Sequence, residues 1–248
     1  ADVIHIHEPL MPVVSLTATR ISHRPTVGTF HADAPTWARR MLSIGAPLTR
    51  VVTSHLDVVT AVSDVARSSV RALDPVRIVP TAIDVDLFVT GPKDPSSVVF
   101  VGRDDPRKGL SHLLAVWPEV RAAHPDAVLR VVGAERDDEV DGVEFLGRVD
   151  EDTKREILGS SRIAVAPNTG GESFGIVVAE AMASTCAVVA SAIPAFVRVL
   201  GDTGELVGVG EDYWGNIGYS EPRVVIVGGA EPPPITGGDG DGDTGSSS

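Results

Sequence analysis

Apolar positions along the chain fall into short runs separated by amphipathic stretches, a rhythm that predicts parallel strands alternating with helices. In the first ninety residues, VIHIH (3–7), TVGTF (26–30), VVTAVS (58–63) and VRIVP (76–80) read as strands. Between them, APTWARRMLSIG (34–45) and SDVARSSVRAL (63–73) carry helical spacing, the second with Ser63 as N-cap. GPKDPSS (91–97) has turn chemistry and reads as a linker. The rhythm then restarts with strand VVFVG (98–102), helix GLSHLLAVWPEVRAAH (109–124) and strands VLRVVG (128–133) and VEFLG (143–147). Helix DEDTKREILGSS (150–161), strand IAVAP (163–167), strand AVVAS (187–191) and helix IPAFVRVLG (193–201) complete it, with a glycine-rich stretch between residues 167 and 187.

The pattern implies an α/β chain of two Rossmann-like units, residues 1–90 and residues 91–207, the second near-complete. Residues 208–248 break the rhythm. They hold one strand-like run, Val224–Val227, and a Pro/Gly/Asp/Ser tract from about residue 230 too poor in apolar side chains to offset its ordering entropy, so disorder is expected there.

Composition narrows the function. With 43% hydrophobic residues in 248, the chain can build real cores. It has no apolar run of the length a membrane-spanning helix needs, and ADVIHIHEPL does not read as a signal peptide. One cysteine, Cys186, excludes an internal disulfide framework, suits a reducing cytoplasm and reads as core. The net charge of −13 is uneven: residues 202–248 carry nine acids and one base, a net of −8, and residues 1–201 a net of −5. No basic footprint for nucleic acid appears, and WARRM (37–41) is the one modest basic cluster in the first half.

Three features converge on phosphate and sugar chemistry. FVGRDDPRKGL (100–110) sets Arg103 and Lys108 around a turn leaving a strand, where ligands of open α/β sheets bind. Two cations there suit a pyrophosphate, or they form a solvated basic loop. GGESFGIVVAEAMA (170–183) resembles a glycine-rich loop feeding a helix N-terminus, where free N–H groups attract anions, although a plain tight turn has the same composition. Within it, Glu172 and Glu180 stand eight residues apart, about 12 Å along a helix axis. That is too far to share a proton but suits the two ends of one extended ligand. Glu180 lies in an apolar run, so its charge needs a partner, either ligand hydroxyls or a nearby arginine. His31 closes the strand TVGTF and would point into the cleft, or serve structure alone. His5 and His7 share one strand face like metal ligands, but no matching cluster follows with metal-site spacing.

At these residues a resemblance enters. VGRDDPRKGL, APNTGGESFGIVVAEAMAS and AVVASAIPAFVRVL resemble the donor-binding domain of retaining GT-B glycosyltransferases, with their Glu-x7-Glu signature and its GR-x4-KG companion. HIHEPL, TFHAD and TAVSDVAR are similar to the N-terminal domain of that family, and the likeness over residues 1–207 runs nearest to the actinobacterial phosphatidylinositol mannosyltransferase group, which uses GDP-mannose. The resemblance implies a GT-B fold and transfer of a hexose, mannose from GDP-mannose, to a lipid or glycan acceptor at the inner membrane face with retention of configuration. The setting it implies is cytoplasmic, peripheral to the membrane, with no obligatory metal or other cofactor. Arg103 and Lys108 would bind the donor pyrophosphate, Glu172 the transferred sugar, and Glu180 the ribose. The backbone of Phe174, Gly175 and Ile176, beside Ser173, would face sugar and phosphates, and His31 would sit near the reacting carbon. Arg103, Lys108, Glu172 and His31 are thus the candidate catalytic set.

The chain also departs from the family. The family's first strands, their glycine-rich loop and a basic membrane-binding helix have no counterpart before Ala1, so the resemblance implies N-terminal truncation and an incomplete first Rossmann-like domain. TAID (81–84) and ASTCAVVAS (183–191) differ from the family pattern, and after Val207 the likeness stops. A competing expectation is therefore an inactive fragment that binds a nucleotide-sugar without turnover. A Rossmann dehydrogenase or epimerase fits poorly, because no Gly-x-Gly-x-x-Gly opens the first turn and no Tyr-x-x-x-Lys occurs.

Overall fold

The computed structural model describes residues 1–11, 13–31, 53–73, 75–88, 91–137, 139–207, 209–211 and 217–219. Strands β1 (Ile4–His7), β2 (Thr26–Phe30), β3 (Val58–Ala61) and β4 (Arg77–Ile78) pair in that order, every pair parallel. Helix α1 (Val14–Ile21) follows β1 and was not anticipated. Four of its eight residues are β-branched, a weak helix signal that packing overrides. The stretch 63–73 is helical only over α2 (Asp64–Ser69), then tightens into a 3₁₀ turn at Arg71–Leu73. Ser63 is the N-cap, its side-chain oxygen accepting the Ala66 N–H at 3.1 Å. The helix expected at 34–45 lies outside the described residues.

The second sheet holds six parallel strands: β5 (Asp94–Val101), β6 (Val128–Val132), β7 (Val143–Gly147), β8 (Ser161–Ala166), β9 (Ala187–Ser191) and β10 (Glu205–Val207). Their spatial order, β10-β9-β8-β5-β6-β7, is that of a doubly wound nucleotide-binding sheet, with its switch point between β5 and β8. The expected linker 91–97 is in part strand. Asp94 accepts from both the N–H and the hydroxyl of Ser96, and β5 pairs Asp94 with Ser161, so extended backbone begins three residues into the turn-like sequence. Strand β10 is a further addition to the expected set.

Helices α3 (Leu110–Ala123), α4 (Glu151–Ser160), α5 (Ile176–Ala183) and α6 (Pro194–Leu200) cover this sheet. Successive residues of β5 face opposite sides. Val99 joins a core of Leu158, Val178, Phe196 and Leu200, while Val98 and Phe100 join one of Leu110, Trp117 and Leu129. Trp117 is buried with its indole N–H donating to the Asp141 carbonyl at 3.1 Å, so its burial leaves no orphaned donor. Contacts between the two halves include Phe174, which packs against the first sheet's core around Phe30 and Ala61, Phe88, which packs against the second sheet's core, and Arg198 of α6, which forms an ion pair with Asp64 of α2. Short strands β11 (Val209–Glu211) and β12 (Ile217–Tyr219) make an antiparallel ribbon. The run Val224–Val227 and the tract from residue 230 lie outside the described residues.

Candidate functional site

The switch point of the six-stranded sheet puts the loop after β5 beside the loop after β8, so the two candidate segments meet there because of strand order. They are sewn together by backbone. The Thr169 N–H donates to the Arg107 carbonyl at 2.9 Å. Gly109, at φ 73°, sits so close to β8's exit that a Cβ would lie 2.0 Å from the Pro167 oxygen. Only glycine permits that approach.

On this frame Lys108 donates to Glu172 Oε2 at 2.8 Å, and the Asn168 amide donates to the same oxygen at 3.4 Å. Both partners of the ion pair are about a quarter exposed. Arg103 is exposed at the start of the same loop; its carbonyl accepts the Asp105 N–H at 2.8 Å, and its guanidinium makes no hydrogen bond among the described residues. Its charge acts on Asp105, whose carboxyl is pulled down to about 2, chiefly by the hydrogen bonds from the Arg107 side chain and backbone. Asp105 thereby caps the 3₁₀ turn Pro106–Lys108 that aims Lys108.

Residues 170–175 turn through three positive-φ glycines, Gly170, Gly171 and Gly175, into α5. A Cβ on Gly175 would meet the Phe196 ring at 2.8 Å. Ser173 is half-buried in the bend, and Ile176, the first residue of α5, is 42% exposed. The first N–H groups of α5 have no intrahelical acceptors, a consequence of helix geometry. A cleft of about 490 Å³ opens beside this loop, walled by Thr169–Glu172, by Ile193 and Pro194, and by Asp64, Val65 and Ser68 across from them.

Glu180 goes elsewhere. It lies inside α5, 7% exposed, and its partner is a lysine rather than the arginine considered above. Lys154 of α4 donates to Glu180 Oε1 at 2.9 Å and to Glu151 at 2.9 Å. Burial alone would lower the Lys154 ammonium, but hydrogen bonds and charge from Glu151 and Glu180 outweigh it and its pKa is raised. Glu180 Oε2 is buried and has no hydrogen-bond partner among the described residues. His31 lies at the end of β2, where its ring bonds His7 and its N–H bonds Glu8.

The structure thus joins Lys108 to Glu172, keeps Arg103 on the same loop, and gives Glu180 and His31 separate partners. Sequence reasoning missed Lys154 and Asn168. Lys154 sits three residues after Glu151 on an amphipathic helix, the pattern of an ordinary surface pair, so nothing in the sequence singled it out. Asn168 stood inside a quoted motif but carried no signal beyond its place after a strand. Among the described residues no group of three or more His, Cys, Asp or Glu could hold a metal ion, and no helix is long and apolar enough to cross a membrane.

Two family models match the chain. Residues 1–87 match the Glycosyltransferase Family 4 model, and residues 95–213 match that of Glycosyl transferases group 1. The chain is 41% identical over 228 residues to phosphatidyl-myo-inositol mannosyltransferase of Mycobacterium tuberculosis, covering 84% of this chain and 60% of that protein. Against the Propionibacterium freudenreichii protein of the same name it is 38% identical over 225 residues, 84% of this chain and 56% of that one. The chain therefore spans about 60% of the length of the curated relatives it matches. Among solved structures, Anabaena HepE in complex with UDP and glucose superposes with a TM-score of 0.62 at 20% identity, covering 79% of this chain and 61% of that one. Sucrose-phosphate synthase of Thermosynechococcus elongatus gives 0.63 at 22% identity, covering 84% and 60%; both show the fold. By its two matched halves, its relatives and its paired parallel sheets, the chain belongs to the GT-B glycosyltransferases.

Proposed function

We propose that this chain is the greater part of a mannosyltransferase that takes a hexose from GDP-mannose and delivers it, with retention of configuration, to phosphatidylinositol or a related lipid at the cytoplasmic face of a membrane. The observation that carries the reading is the Lys108–Glu172 pair at the switch point, beside a cleft large enough for a nucleotide-sugar. An ammonium has three donors, and Glu172 occupies one of them, so Lys108 can hold the carboxylate and a diphosphate oxygen together. As the glycosidic bond breaks, negative charge grows on the leaving diphosphate, and Lys108 with Arg103 stabilises it. Glu172, held by Lys108 and Asn168, accepts from sugar hydroxyls. Glu180 serves the ribose, its unpaired Oε2 supplying an acceptor once the covering side chains give way. Ser173, Phe174, Gly175 and Ile176 form the lip that meets sugar and phosphates, and Phe174 ties that lip to the first sheet's core. His31 approaches the sugar from the acceptor side.

Names of the relatives support the mannose and phosphatidylinositol assignment. The test is calorimetric titration of the chain with GDP-mannose, UDP-glucose and ADP-glucose, followed by transfer of radiolabelled mannose to phosphatidylinositol vesicles. Preferential heat with GDP-mannose is expected. Absence of heat with every nucleotide-sugar would end the reading, and binding without transfer would assign the chain a donor-holding role alone.

A further inference from the structure

Donor binding leaves the His-Ile-His-Glu run at the end of β1 and just past it unexplained, yet all three of its polar residues meet the end of β2. Glu8 Oε1 accepts the His31 backbone N–H at 2.6 Å. His7 Nδ1 and His31 Nε2 lie 2.6 Å apart. His5 stacks on His7 with ring centroids 4.3 Å apart, and its Nε2 is 2.6 Å from Thr29 Oγ1, which in turn bonds Thr60 Oγ1 at 2.6 Å. His31 is therefore gripped by backbone, by ring nitrogen and by a stacked pair behind that ring.

Two ring nitrogens at hydrogen-bond distance hold one proton between them, one donating and one accepting. His7 is exposed and His31 half-buried. The arrangement that leaves a hydrated N–H on the exposed ring puts the His7 proton on Nε2, so His7 Nδ1 accepts and His31 Nε2–H donates. The remaining ring nitrogen of His31, Nδ1, then carries a lone pair and has no partner among the described residues. We propose that His7 is a positioning residue that fixes His31 as its Nε2–H tautomer, so that Nδ1 is offered to a hydroxyl of the bound sugar; the last step rests on the donor-binding reading above. The electrostatics agree. The His31 pKa is lowered, first by burial and then by the His7 charge, against an opposing pull from Glu8 and with a further lowering from His5. His5, His7 and Glu8 are the titratable groups acting on it among the described residues.

Two-bond proton–nitrogen correlation spectra of the ¹⁵N-labelled full chain read the tautomer directly, with His31 assigned by its loss in His31→Gln. In the wild-type chain at neutral pH, His31 shows a protonated Nε2 and an unprotonated Nδ1. His7→Phe keeps a ring beside His5 but removes the acceptor, giving mixed tautomers. His7→Asn restores the single tautomer, because its Oδ1 occupies the place of Nδ1. His5→Phe leaves the tautomer unchanged. A protonated Nδ1 in the wild-type chain, or spectra unaltered by His7→Phe, overturns the proposal. Should His7→Phe fail to fold, the wild-type spectrum and the asparagine variant still decide. The readout needs no donor, so it stands or falls apart from glycosyl transfer.

Discussion

The loop end and the helix end of the Glu172–Glu180 span are built from the same chemical pair in opposite settings. Lys108 and Glu172 meet at 2.8 Å across two loops with side chains 27% and 21% exposed. Lys154 and Glu180 meet at 2.9 Å with side chains 15% and 9% exposed. Water screens the first pair, so its net contribution to stability is small and a ligand can rearrange it at little cost. The second pair is held inside the fold, where each charge depends on the other and removing one leaves an uncompensated ion. Burial separates the two ends, one suited to exchanging partners and one to holding shape.

The comparison breaks most visibly at Lys154. Lys154→Met should destabilise the chain by about 3–5 kcal/mol in urea unfolding, because Glu180 is left buried without its counter-charge. Lys154→Met combined with Glu180→Met should recover most of that loss, whereas a chain indifferent to the single change would show that the interior pair is no more than a surface one. Gly109→Ala comes next. The strained φ and the contact with the Pro167 carbonyl predict a loss of about 1–3 kcal/mol, together with loosening of both loops visible by amide hydrogen exchange at residues 167–172.

Lys108→Met should move stability by less than about 1 kcal/mol, since the pair is solvent-screened. Its effect belongs to the ligand. Affinity for GDP should fall roughly tenfold or more while affinity for guanosine stays put, the size of a charge-assisted hydrogen bond. Equal weakening of both in calorimetry would remove Lys108 from the diphosphate. The smallest expected effect is at Asp105. Its folded pKa of about 2 lies below the ordinary 3.8, so its contribution is complete above pH 4 and fades as pH falls toward 2. Asp105→Asn should flatten the thermal stability curve between those limits and leave the neutral region alone.

How far the sequence alone reaches is visible at single residues. Ser63 as a cap, the strand TVGTF and the turn after β5 follow from local chemistry and are found where the pattern puts them. Helix α1 was hidden by β-branched residues, and the first residues of β5, ahead of the expected strand 98–102, by a Pro/Ser-rich stretch whose extension depends on pairing Asp94 with Ser161 across the sheet. At the site, Glu172, Lys108 and the glycine turns could be picked out by residue type and position after a strand, and the structure brings Lys108 to Glu172. Lys154 could not be picked out, because its polar helix position reads the same whether it faces water or the interior.

By itself the sequence determined the alternation of strands and helices, the restart of the rhythm near residue 91 and the family, since each rests on spacing within a few residues or on motifs carried in order. Only the tertiary structure decided that Lys108 reaches Glu172, that Glu180 takes its ammonium from α4, and that His7 clasps His31. Those pairings span 64, 26 and 24 residues, and they depend on which strands lie side by side and which groups lose their water, neither of which is written into any local stretch of the chain.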